Sequence, residues 1–142
     1  LKDPLHDITA CVFDAYGTLF DFNTAAASAR DELGDDWQKL SDLWRLKQLQ
    51  YTWLRGLGGR HAEFWQVTGD ALDFALAQLK LDKPGLRARL MDLYLRLGAY
   101  PEVPAMLSTL KARGLKLAIL SNGSPTMLAA VPKAISSGFS SA

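Results

Sequence analysis

The sequence predicts an α/β fold built on a parallel sheet, with a helical domain inserted directly after the first strand. Three observations carry this expectation. Two short apolar runs, residues 8–13 and 115–120, each stop at a loop of Asp, Ser, Asn and Gly residues, as buried strands do. A helical pattern ending at Gly114 leads straight into the second run, which is the αβ half of a βαβ unit. Between the two runs, residues 23–98 are helical in pattern, far more chain than one crossover requires.

The first strand, Ile8-Thr9-Ala10-Cys11-Val12-Phe13, closes at Asp14 and a Gly-containing loop. In the insertion, Trp37, Leu40, Leu43 and Trp44 recur at three- and four-residue steps. A second stripe runs through Phe64, Val67, Ala71, Leu76 and Leu79, and a third through Leu86, Leu90, Leu93 and Leu97 after Pro84. Such spacing places each set on one face of a helix. PEVPAMLSTLKAR then predicts a helix over 101–113, with Pro and Glu in its first turn, Lys and Arg in its last, and Gly114 as its stop. After Pro125 a further helix begins and Pro132 interrupts it. The expected division is residues 1–20 and 99–142 for two segments of the α/β core, and 21–98 for the helical insertion.

Composition narrows the function classes. The 142 residues are about one domain. Sixteen Lys and Arg against fifteen Asp and Glu give a net charge of +1, with no block of one sign, so nothing recommends a nucleic-acid partner. No apolar run approaches the ~20 residues of a membrane span. The N-terminal LKDPLHDITACVFD has no charged-then-apolar leader pattern. Cys11 is the single cysteine and has no partner within the chain, which fits a reducing cytoplasm. His6 and His61 lack metal-ligand spacing, and GLGG at 56–59 follows a helix rather than a strand, so neither a metal nor a dinucleotide site is expected. The four tryptophans, 37, 44, 53 and 65, fit helix packing or a dimer seam.

Parallel strands present their carboxyl ends to one place, where ligands of open α/β sheets bind. The first strand delivers Asp14-Ala15-Tyr16-Gly17-Thr18-Leu19 there, and the second delivers Ser121-Asn122-Gly123-Ser124. A carboxylate, hydroxyls, an amide and loop N–H groups together make a covalent nucleophile with an anion cradle. Taken singly, each of these residues is also ordinary turn chemistry. Likewise Arg45, with Leu49 and Thr52 on its helical face, is by spacing alone a solvated arginine on an amphipathic helix.

VFDAYGTLFD together with AILSNGSP resembles the haloacid dehalogenase superfamily, and LWRLKQLQYTWLR resembles its type II L-2-haloacid dehalogenases more closely. The resemblance runs from residue 8 to about 131 and implies a Rossmann-like core, of which only strands one and two are expected here, with an inserted helical cap. It implies Asp14 as nucleophile toward a small 2-haloalkanoate. Thr18 would orient Asp14, and Ser121 with N–H groups near Ala15, Tyr16 and Asn122 would hold the substrate carboxylate. Arg45 and Asn122 would receive the halide, and Tyr16, Leu49 and Phe64 would line an apolar pocket. No cofactor or metal is implied, and a homodimer formed through the insertion is.

Tyr16 stands where the superfamily's phosphatases carry a second Asp. A phenol with an ordinary pKa of ~10 is a poor general acid near neutrality, and a halide needs no proton to leave. A Mg-dependent phosphatase and a catalytically inactive interaction module are the alternatives. Leu46 departs from the family's usual Gln and is expected to remove a polar contact from the pocket. The family pattern continues with a Lys after a third strand and a Ser-Asn-x-x-Asp segment after a fourth. Neither is found, Lys133 comes too early, and SGFSSA at 137–142 looks like the approach to a third strand. The expectation is therefore a piece of a longer chain, with its strands exposed and its turnover impaired.

Overall fold

The structure, a computed structural model, describes residues 7–130 and 139. Strand β1 (Ala10–Phe13) is followed by helices α1 (Asn23–Ser28), α2 (Arg30–Leu33), α3 (Trp37–Leu57), α4 (Phe64–Leu79) and α5 (Leu86–Tyr94). Helix α6 (Val103–Ala112), strand β2 (Lys116–Ile119) and helix α7 (Pro125–Ala129) complete the described order. The strands pair in parallel, Ala10 opposite Lys116 through Phe13 opposite Ile119. This is an α/β core with a layer of helices between its two strands in sequence.

The helices form where the apolar stripes predict. On α3, Leu40, Trp44 and Gln48 lie at i, i+4 and i+8 and are buried. On α4, Phe64, Val67, Thr68, Ala71, Leu72 and Ala75 are buried. The two faces pack together, and Arg55 Nη2 reaches Asp70 Oδ2 at 2.7 Å across them. Helix α5 packs on α1 and α4, with Leu90 fully buried. Lys80 ends α4 in the left-handed conformation at φ 56°.

Hydrogen bonds tie the two ends of the helical stretch to each other. Asp21 N donates to Gly98 O at 2.9 Å, Tyr100 N to Leu19 O at 3.1 Å, and Gly98 N to Thr24 Oγ1 at 3.1 Å. The chain thus leaves and re-enters the α/β core at one spot, so the helices fold against themselves without displacing β1 from β2. Gly114, at φ 80°, turns the chain from α6 into β2, a conformation glycine adopts without steric cost.

Several expectations are corrected. The strands are shorter than the apolar runs, and Pro101 and Glu102 precede α6, whose first turn holds Pro104. Leu97 lies beyond α5 yet is buried. The exposure of the strands agrees with expectation: Val12 is 61% exposed, and Leu120, just past β2, is 76% exposed, because a two-stranded sheet has neighbours on few sides. His6, Pro132, Lys133 and the tail at 137–142, apart from Phe139, lie outside the described residues. The Phe139 ring meets that of Phe13 edge-on at 6.3 Å.

Candidate functional site

Asp14 is the first residue beyond β1 and is exposed. The chain after it coils tightly. Leu19 N and Phe20 N both donate to Ala15 O at 2.9 Å, and Gly17 N donates to Phe20 O at 2.9 Å. The coil returns Thr18 to Asp14, and Thr18 Oγ1 donates to Asp14 Oδ2 at 3.3 Å. The loop's own turns use the N–H groups of Gly17, Thr18, Leu19 and Phe20, not those of Ala15 and Tyr16.

The loop after β2 packs against this coil. A Cβ at Gly123 would lie 2.7 Å from Tyr16 Cε2, closer than real Cβ atoms approach, so glycine is what allows the two strand ends to meet. Ser121 Oγ accepts from Gly123 N at 3.1 Å, which leaves its own proton to donate. Ser124 Oγ caps α7 by accepting from Met127 N. Asn122 is exposed, and its side chain meets no hydrogen-bonding group among the described residues.

Arg45 crosses from α3 to the coil. Its Nη2 donates to Tyr16 O at 2.6 Å and its Nη1 to Gln48 Oε1 at 2.8 Å, with the guanidinium carbon 5.1 Å from the Phe22 ring centre. Gly17 adopts φ 97°, and a Cβ there would stand 3.0 Å from Nη2. The GT of the first loop thus serves twice: Gly17 admits the guanidinium and Thr18 holds the carboxylate.

Tyr16 is buried, stacked on Tyr94 with ring centres 5.8 Å apart, and 5.5 Å from the Phe64 ring. Burial, then the neighbouring Tyr94, push its phenol well above the ordinary tyrosine value, so it holds its proton throughout the neutral range. Burial likewise raises Tyr94, opposed by the Gln48 hydrogen bond and by Arg45, with the Asp14 charge adding to the rise.

Between α3, α4 and the β2 loop opens a cleft of about 380 Å³, lined by Thr52, Arg55, His61 and Glu63 with Phe64, Asn122 and Gly123 among others. Of the residues singled out in the sequence, Asp14, Thr18, Arg45 and Tyr16 come together through direct contacts. Phe64 joins them through Tyr16, and Ser121 and Asn122 through Gly123. Leu49 is half-buried on α3 and does not line this cleft. Leu46 is 50% exposed, about 100° around α3 from Arg45, and like Arg45 it does not line this cleft. Missed altogether was the buried set Gln48, Thr68 and Tyr94. Its only sequence signal is a Gln three residues after Arg45, on the face that packs. Among the described residues no group of three His, Cys, Asp or Glu side chains could hold a metal ion.

A family model described as haloacid dehalogenase-like hydrolase matches residues 8–140. The (S)-2-haloacid dehalogenase 1 of Pseudomonas sp. (strain CBS-3) is 52% identical over 122 residues, covering 85% of this chain and 54% of that protein. A crystal structure of a dehalogenase superposes with a TM-score of 0.92 at 44% identity, over 96% of this chain and 62% of that one. The L-2-haloacid dehalogenase of Xanthobacter autotrophicus, solved with chloropropionic acid covalently bound, gives 0.82 at 40% identity, over 94% of this chain and 55% of that one. The chain spans about half the length of the curated relatives it matches.

Proposed function

The chain belongs to the haloacid dehalogenase-like hydrolases, and from that premise we propose that the protein carrying it hydrolyses L-2-haloalkanoic acids to D-2-hydroxy acids. An Asp14 carboxylate oxygen attacks C2 from the side opposite the halogen. The carbon–halogen bond breaks, the halide leaves with the electron pair, and C2 inverts as an ester forms. Water then adds to the ester carbonyl carbon of Asp14. The C–O bond from that carbon to the oxygen on C2 breaks, and that oxygen leaves as the product alkoxide and takes up one proton of the water. The other proton passes to solvent as the Asp14 carboxylate, now carrying the water's oxygen, is restored.

The observation that carries this reading is the Arg45 hydrogen bond into Tyr16 O, two residues past Asp14. It anchors a permanent cation to the coil that begins at the carboxylate, and such a cation stabilises the negative charge that builds on a departing halide. Asn122 assists at the halide. Ser121 Oγ–H and the N–H groups of Ala15, Tyr16 and Asn122 hold the substrate carboxylate. Thr18 orients Asp14, and Tyr16, Leu49 and Phe64 bound the carbon chain. The buried, protonated Tyr16 phenol tells against the phosphatase reading, which needs a second carboxylate and a divalent cation at that position.

Residues 21–98 form the cap, and 1–20 with 99–142 the core segments. The cap also supports a homodimer, since Trp53 is 63% exposed and Leu54 and Leu57 beside it are exposed on α3. No helix among the described residues is long and apolar enough to cross a membrane, and the unpaired Cys11 supports a cytoplasmic setting. Halide release from L-2-chloropropionate, with D-lactate as product and no added metal, tests the reading. Release from the D-enantiomer instead, or activity only on phosphate esters with Mg²⁺, would overturn it.

A further inference from the structure

We infer that Gln48 is a positioning residue for Arg45, one that fixes the guanidinium without neutralising it; this rests on the assignment of Arg45 to the leaving halide. Gln48 is 1% exposed, and every polar atom of its amide has a partner. Oε1 accepts from Arg45 Nη1 at 2.8 Å, while Nε2 donates to Thr68 Oγ1 at 2.6 Å and to Tyr94 OH at 3.0 Å. The network dictates which way the amide points. Arg45 can only donate, so it requires the amide oxygen. Thr68 Oγ1 gives its own proton to Phe64 O at 2.7 Å, so it requires the amide N–H₂. Trp44 Nε1 donates to Thr68 O at 2.8 Å and pins the same turn of α4. Gln48 is therefore held from behind by α4 and α5, and it holds Arg45 in front.

The neutrality of that acceptor is the informative feature. Arg55, Arg87, Arg89 and Arg96 all pair with Asp or Glu side chains. Arg45 has no carboxylate partner within ion-pair distance among the described residues, and rests on a backbone carbonyl, an amide oxygen and the Phe22 ring. A carboxylate at position 48 would bind the guanidinium more tightly. It would also cancel, within a buried site, the charge needed when the halide departs. An amide of the same shape supplies the orientation and leaves the charge available.

The test compares Gln48→Glu, Thr68→Val and Arg45→Ala in the protein carrying these residues, with kcat and KM measured for L-2-chloropropionate and L-2-bromopropionate. Gln48→Glu is expected to lower kcat by ~10-fold or more with KM within about twofold, since the loss falls on the transition state. The loss should be larger for chloride, the poorer leaving group, than for bromide. Thr68→Val keeps the Gln but removes the acceptor that orients it, and is expected to show the same leaving-group pattern at smaller size. It decides the matter if Gln48→Glu does not fold. Equal losses for both halides, a change in KM alone, or an unchanged or raised kcat in Gln48→Glu would overturn the proposal. Arg45→Ala separates the two levels. If it weakens chloride release more than bromide release while the Gln48 and Thr68 variants do not, Arg45 keeps its role and Gln48 loses its own. If Arg45→Ala leaves halide release intact, both assignments fall together.

Discussion

The helical layer and the two-stranded sheet solve opposite problems. In the helices, Leu40, Leu72 and Leu90 are fully enclosed, and the buried polar side chains Ser41, Gln48 and Thr68 all have partners. In the sheet, only Leu117 is buried, while Val12, and Leu120 just past β2, face solvent. The helices hold the packing and the sheet holds the proposed nucleophile. Chemistry is placed at their seam, where the coil after β1 receives Arg45 from α3. A helix thus brings a charge to the coil that begins at an exposed carboxylate.

The seam predicts the largest effect. Asp14→Asn should reduce halide release by ~10³-fold or more while leaving the thermal midpoint nearly unchanged, because the side chain is exposed. Halide release beside a melting curve checks both halves. A sharper contrast lies in stability. Leu40→Ala, in the helical core, should cost ~2–5 kcal/mol, whereas Val12→Thr on the sheet should stay within ~0.5 kcal/mol. Equal shifts in denaturation midpoint would erase the distinction between the two regions.

Gly17→Ala acts on the contact between them. The backbone at φ 97° and the 3.0 Å approach of Arg45 Nη2 leave a methyl group no room. Activity should fall by ~10-fold as the guanidinium shifts, with ~1–2 kcal/mol of strain in the coil. A wild-type kcat in Gly17→Ala would mean that Arg45 need not sit where it does.

The smallest effect is a pH dependence. Burial raises the Tyr16 and Tyr94 phenols in the folded chain above the ordinary value of 10.0. Unfolding lowers them, so the unfolded state releases protons first, and stability that is intact below pH 10 falls as pH rises above it. Tyr16→Phe removes one contributor and should flatten that alkaline decline, read as melting temperature against pH. A decline of unchanged steepness would show that Tyr16 ionises freely when folded.

The strand ends were legible in the sequence because two signals coincided there. An apolar run stops, and residues of one chemistry, Asp14 with Thr18 and Ser121 with Asn122, follow at once. The parallel pairing that joins them follows from the helix and Gly114 preceding β2. The neighbours of Arg45 were not legible. Gln48 falls on the packing face four residues after Trp44, but its partners Thr68 and Tyr94 are 20 and 46 residues away. Nothing local announces such a contact. Strand exposure was legible too, because two strands without others beside them have few neighbours to bury them.

The central claim is that Asp14 itself forms the bond to the substrate carbon. Rapid acid quench of the protein with excess L-2-chloropropionate, followed by intact-mass and peptide analysis, tests it directly. The account predicts a gain of one propionate unit carried on Asp14, absent from Asp14→Asn. Halide released at full rate with no adduct on Asp14, or an adduct on another residue, would contradict it.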